Sequence, residues 1–146
     1  MDFFFMWLYN NEPIDELPDD TVGFVYLISN LLTGRKYIGK KLAKFSRTKQ
    51  QTVTLKNGTK KKKKVRFKID SDWKEYYGSS EHLNKDIELL GKENFKREIL
   101  FLCNSKALCS YIEAREQFSH RVLESDDWYN GNISIRVHGN HIKGKL

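Results

Sequence analysis

The sequence predicts an α+β domain in which a small three-stranded antiparallel sheet is flanked by helices and carries an inserted basic β-ribbon. Three observations predict it. Two β-branched and aromatic runs, residues 23–29 and 35–39, flank turn-rich residues 30–34. Two later segments place apolar residues at helical spacing behind serine or asparagine caps, with one strand-like run between them. Finally, Asn57-Gly58 divides two extended basic runs, a strong hairpin signal.

Residues 1–22 form an acidic, aromatic arm broken by Pro13 and Pro18. It reads as an extended lead-in whose Phe3, Phe4, Phe5 and Trp7 dock on the main core. The domain proper spans residues 23–146. Gly23-Phe24-Val25-Tyr26-Leu27-Ile28-Ser29 is the first strand and Arg35-Lys36-Tyr37-Ile38-Gly39 returns beside it. This hairpin brings Tyr26 and Tyr37 close across the pair. Residues 40–49 are basic, with Leu42, Ala43 and Phe45 as apolar points, and read as a short helix or an irregular crossing. Residues 51–69, within an insertion at about 50–70, read as a projecting basic ribbon. Ser79 or Ser80 caps a helix that stops at Gly91 and buries Leu83, Ile87 and Leu90. Residues 96–102 are the third strand. Asn104 or Ser105 caps a second helix reaching about Leu123, with a stripe of Leu108, Ile112, Phe118 and Val122. A short strand at residues 133–137 is expected in the tail.

Charge is unevenly spread. The chain has 146 residues and a net charge of +7, yet residues 35–68 hold 15 Lys or Arg and no acid. Residues 1–20 hold six acids and no base. So concentrated a positive field suits a polyanion, most simply nucleic acid. The segment lacks the amphipathic apolar face that would insert into a membrane. No stretch approaches the roughly 20 apolar residues of a membrane span. The apolar opening has neither the basic start nor the small-residue cleavage site of a secretory signal. Two cysteines, Cys103 and Cys109, suffice for neither a disulfide framework nor a four-ligand zinc site; free thiols in a reducing cytoplasm are expected.

Specific residues go further than composition. Phe24-Val25-Tyr26 stands eleven residues before Tyr37-Ile38-Gly39. Downstream follow Tyr77-Gly78-Ser79-Ser80, Leu83, Ile87, Leu90-Gly91, Glu93-Asn94-Phe95 and Arg97-Glu98-Ile99-Leu100, then Glu116-Gln117-Phe118 and Tyr129-Asn130. In this order they resemble the GIY-YIG nuclease family, and within it small phage-borne homing endonucleases, over residues 23–131. The first triplet keeps only its tyrosine, while the second is literal.

The resemblance implies a metal-dependent DNA endonuclease that hydrolyses phosphodiester bonds. It implies that Glu116 holds Mg²⁺, with Mn²⁺ as a substitute, since one carboxylate can hold that ion while water and phosphate fill the remaining positions. The neighbouring Glu113 is expected to point further toward solvent. Tyr26 is the implied water activator, although a free phenol titrates near pH 10 and must be perturbed to serve at neutral pH. Tyr37 would orient water or a phosphate oxygen, and Asn130 would position the site. Arg47, ten residues after Tyr37, matches the family's phosphate-neutralising arginine, and its guanidinium suits bidentate phosphate contact. The helix expected around it is short, so Lys40 and Lys41 stand as alternatives. Lys60, Lys61, Lys62, Lys63, Lys64, Arg66 and Lys68 of the ribbon are candidate DNA contacts, chiefly to phosphates. If the chain is phage-encoded, its compartment is the bacterial host cytoplasm.

Other readings stay open. A noncatalytic nucleic-acid-binding protein on the same scaffold would bind DNA without cutting it. A restriction-like or structure-selective nuclease would share the chemistry but not the target. Little chain follows Asn130, so recognition of a long site by a second domain is not expected, and the ribbon is the candidate substitute.

Overall fold

A computed structural model describes residues 5–146. Phe3 and Phe4, both expected to dock on the core, lie outside the described residues. The elements are β1 (Trp7–Tyr9), β2 (Glu12–Ile14), β3 (Gly23–Asn30), β4 (Lys36–Leu42), β5 (Lys44–Thr54), β6 (Lys60–Asp70), α1 (Glu81–Leu90), β7 (Phe95–Cys103) and α2 (Lys106–Ser119). No described helix is long and apolar enough to cross a membrane.

The main sheet has five strands in the order β2-β1-β7-β3-β4, with β1 parallel to β7 and the other pairs antiparallel. This corrects the expected three-stranded antiparallel sheet. The two extra strands come from the acidic arm, which folds into a hairpin instead of leading in as extended chain. Asn10 and Asn11, at φ 52° and 66°, supply the left-handed pair that a tight hairpin turn needs. Trp7 is the anchor: its ring is buried, and its indole N–H donates to the Trp73 carbonyl at 2.7 Å. Strands of three residues, one of them carrying Pro13, leave no alternation long enough to read in the sequence.

A helix covers each face of the sheet. Phe24, Tyr26 and Ile28 point toward α1 and cluster with Trp7, Leu83 and Ile87. Val25 and Ile38 point the other way and cluster with Cys109, Ile112 and Val122. The period-2 alternation of β3 thus serves two cores at once. The helix caps are Ser80 and Ser105, whose hydroxyls accept from the backbone N–H of Leu83 and Leu108. Cys103 and Cys109 are buried free thiols.

Several local expectations change. Residues 40–49 contain no helix: β4 runs on to Leu42, Ala43 makes the turn, and β5 starts at Lys44. The ribbon is therefore longer than residues 51–69, because every residue of β5 from Lys44 to Thr54 pairs with one of β6. Helix α2 ends at Ser119, short of Leu123. Phe118, placed in its buried stripe, is 64% exposed, and the buried position is Gln117. Residues 133–137 form no strand.

Candidate active site

The β3–β4 register pairs Tyr26 with Gly39 and Tyr37 with Ile28. Both tyrosines thus point from the same sheet face, diagonally related, with ring centroids 6.1 Å apart. Glycine at position 39 is a steric requirement. A Cβ there would lie 2.5 Å from the Tyr26 hydroxyl oxygen and 2.8 Å from the Tyr37 ring, so the rings occupy the space that a side chain would need. On the other side of β3, the pairing with β7 shifts register between Val25 and Tyr26. Such irregularities re-aim side chains and are frequent beside functional sites.

The loop after the ribbon closes over this pair. Tyr76 meets Tyr26 edge-on at 6.0 Å. Gly78, at φ 93°, lets the chain turn where an added Cβ would come within 3.5 Å of the Tyr26 hydroxyl. Buried Arg97 of β7 fixes the loop. Its guanidinium donates to the carbonyls of Lys74 (2.9 Å), Tyr76 (2.7 Å) and Phe5, and stacks 4.0 Å from the Tyr77 ring centre and 4.6 Å from that of Trp7. Burial lowers its pKa to about 10, so it stays charged at neutral pH.

Both phenols are held protonated at neutral pH. Burial raises Tyr26 well above its ordinary value, and Tyr76 and Tyr37 add to the effect. Burial also raises Tyr37, while a hydrogen bond with Ser79 pulls it back. Glu113 contributes to the rise at both rings. The carboxylate that feels the tyrosine pair is therefore Glu113, the residue expected to face solvent. The reason lies in helix geometry. Cys109, Glu113 and Gln117 recur every four residues along the α2 stripe that meets β4. Gln117 donates to the Ile38 carbonyl at 3.0 Å. One turn earlier Glu113 reaches the border of β4 beside Lys40, whose charge and backbone N–H lower the carboxyl pKa while burial raises it further, for a net rise.

Glu116 lies three residues further along the same helix, about one turn on. Its carboxylate lies 3.6 Å from Arg115 and 4.0 Å from His120. Asn130 works on the backbone: its amide donates to the Ile38 carbonyl at 2.8 Å and accepts from the Ile38 N–H at 3.2 Å. It thereby pairs with the border of β4 as a strand residue would.

The cations divide into two groups. Lys40 reaches Ser110 at 2.5 Å, beside Glu113. Lys41 pairs with Asp72 at 2.7 Å and hangs 4.2 Å over the Tyr76 ring. Arg47 is exposed on β5, its guanidinium 5.3 Å from the Phe45 ring centre. Lys60, Lys61, Lys62, Lys63, Lys64, Arg66 and Lys68 are exposed on β6.

Among the described residues no group of three or more His, Cys, Asp or Glu side chains could cage a metal. The donor set fits a different kind of ion. Mg²⁺ commonly takes one or two carboxylates and fills its remaining positions with water and substrate phosphate. Glu113, half-buried beside Lys40 and with its charge felt at both phenols, offers such a carboxylate. Neither Glu113 nor Tyr76 stands out in the sequence. The one available signal was Gln117, a polar residue within an apolar stripe, which marks the helix face that contains Glu113.

The sequence model of one protein family, described as "Putative endonuclease segE, GIY-YIG domain", matches residues 7–133. The match runs from β1 past Asn130, so it takes in the whole sheet, both helices and the ribbon. No curated protein and no solved structure matches the chain.

Proposed function

The chain belongs to the GIY-YIG nuclease family, and from that premise we propose that it is a Mg²⁺-dependent DNA endonuclease, homing-endonuclease-like in its chemistry. What supports the reading is the pair Tyr26 and Tyr37 on one face of the β3–β4 hairpin, with ring centroids 6.1 Å apart, the Glu113 charge felt at both rings, and Lys40 and Lys41 on the same strand as Tyr37. Glu113 is the carboxylate we assign to the metal, in preference to Glu116. When bound, Mg²⁺ would polarise a phosphate oxygen and acidify water.

The chain's own groups do the rest. Lys40 and Lys41 hold the phosphodiester and offset charge that develops on phosphorus. Tyr37 orients the attacking water. Tyr26, as phenolate, takes the water proton while oxygen bonds to phosphorus and the opposite P–O bond breaks; the departing oxygen is protonated from solvent. Tyr26 rests as the protonated phenol; it would first lose its proton to solvent, a step that the positive charge of a bound metal ion would favour and the incoming phosphate would oppose. Asn130 and Gln117 position the strand that carries Tyr37 and Gly39.

Nicking of supercoiled plasmid in Mg²⁺ tests this reading. Tyr26→Phe and Glu113→Gln should each slow nicking by on the order of 100-fold or more, while Glu116→Gln and Arg47→Gln stay within a few-fold of wild type. Loss in Glu116→Gln with activity retained in Glu113→Gln would reassign the metal carboxylate to Glu116. Salt-sensitive DNA binding with no cleavage in Mg²⁺ or Mn²⁺ would leave the noncatalytic reading.

A further inference from the structure

The β5–β6 register splits the basic run in a way its sequence does not show. Paired residues of an antiparallel ribbon share a face, and successive pairs alternate between faces. Thr48 pairs with Arg66, Gln50 with Lys64 and Thr52 with Lys62. The same face ends in Ser46–Lys68 at the root and Thr54–Lys60 at the tip. It therefore carries a line of cations on β6 beside a line of neutral hydroxyl and amide groups on β5, and all ten residues are exposed. The opposite face is different. Near the root it is apolar, with Phe45 against Ile69, Phe67 beside Arg47 and Val65 beside Lys49. Arg47 and Lys49 lie over the Phe45 and Phe67 rings at 5.3 and 5.5 Å.

We infer that the Thr48–Gln50–Thr52 face of the ribbon enters the major groove of duplex DNA and reads base edges, with the β6 cations on the flanking phosphates. Resting on the nuclease reading above for its substrate, the inference adds a specificity-determining surface to it. Three features carry it. The first is size: two strands about 4.8 Å apart fit a groove about 12 Å wide, and 11 residues span about 37 Å, close to one turn of B-DNA. The second is chemistry. Lysines alone would suffice for phosphates, which carry no sequence information, whereas hydroxyl and amide groups match the donor and acceptor pattern of the major groove. The third is position. Phe45 at the ribbon root lies 5.4 Å from the ammonium of Lys41, which itself covers the Tyr76 ring. The bases read would thus lie within about one helical turn, roughly 10 base pairs, of the bond cut.

The test is enrichment of a randomised duplex library by the full chain in chelator, where binding is scored without cleavage. Wild type should enrich a short motif. Thr48→Val/Gln50→Met/Thr52→Val, which keeps strand-forming shape and charge, should lose about fivefold or more of the preference at each contacted position with its salt dependence unchanged. Thr48→Ser/Thr52→Ser, which keeps the hydroxyls, should retain the motif. Lys62→Gln/Lys64→Gln/Arg66→Gln should weaken binding to all sequences and flatten the salt slope by about 0.9 per lost phosphate contact. Methylation of guanine N7, which lies in the major groove, should block binding at the motif. The inference is overturned by no enriched motif in wild type, an unchanged motif in the Val/Met/Val variant, indifference to N7 methylation, or equal competition by duplex RNA, whose major groove is too narrow to read. Since binding is scored without metal, these outcomes leave the nicking result untouched, and the reverse holds.

Discussion

At the scale of single residues, the site is built from groups that cost the fold something. Glu113 has its pKa raised by burial, against the pull of Lys40. An acid with a raised native pKa binds more protons folded than unfolded, so stability falls as pH rises through that pKa. Glu113→Gln removes the burdened charge and is expected to raise the melting temperature at pH 7 while abolishing nicking; calorimetry beside the plasmid assay checks both. Gly39→Ala acts in the opposite sense. Its methyl has no room against Tyr26 and Tyr37, so a loss of about 1–3 kcal/mol in urea titration is expected, along with loss of nicking. The tyrosine pair and its glycine were legible in the sequence because a hairpin fixes their relation. The partial burial of Glu113 beside Lys40 was not, because helical periodicity ranks positions by apolar neighbours, while the border of β4 is polar and lined by amides.

At the scale of elements, β4 depends on a side chain for its outer border. Asn130 both donates to and accepts from Ile38, so Asn130→Ala leaves a backbone pair unmet and should cost about 1–3 kcal/mol. The check is chemical denaturation, in which Asn130→Asp, keeping the acceptor alone, should fall between the two. The ribbon is separable in another sense. Neither β5 nor β6 pairs with the main sheet, and its root is closed by Ser71 donating through its N–H to the Ala43 carbonyl and through its hydroxyl to Leu42. Replacing residues 45–69 by a short Gly-rich turn should leave the body folded by circular dichroism. It removes ten bases and no acid, taking the net charge from +7 to −3, and should abolish measurable DNA binding at moderate salt.

For the molecule as a whole, patterning over seven or more residues was readable and shorter signals were not. The β3–β4 hairpin, β7 and both serine-capped helices follow from alternation, helical spacing and caps. The arm hairpin is too short to alternate, and its stability comes from one tryptophan reaching across the chain to Trp73. The extended course of residues 44–50 follows from cross-strand pairing with residues 64–70, a partner that local propensity does not include. The two faces of the ribbon emerge only from that pairing.

The sheet has little to offer a second copy of itself. Along β4, Lys36 is bonded to Asp127 and Tyr129, and Ile38 to Asn130 and Gln117; at the other margin β2 is three residues long and includes Pro13. The margins of the main sheet thus leave little free backbone for a second copy to pair with, and the chain carries one tyrosine pair for a duplex of two strands. Open circles should accumulate first, and linear molecules should follow with a steeper than proportional dependence on enzyme concentration.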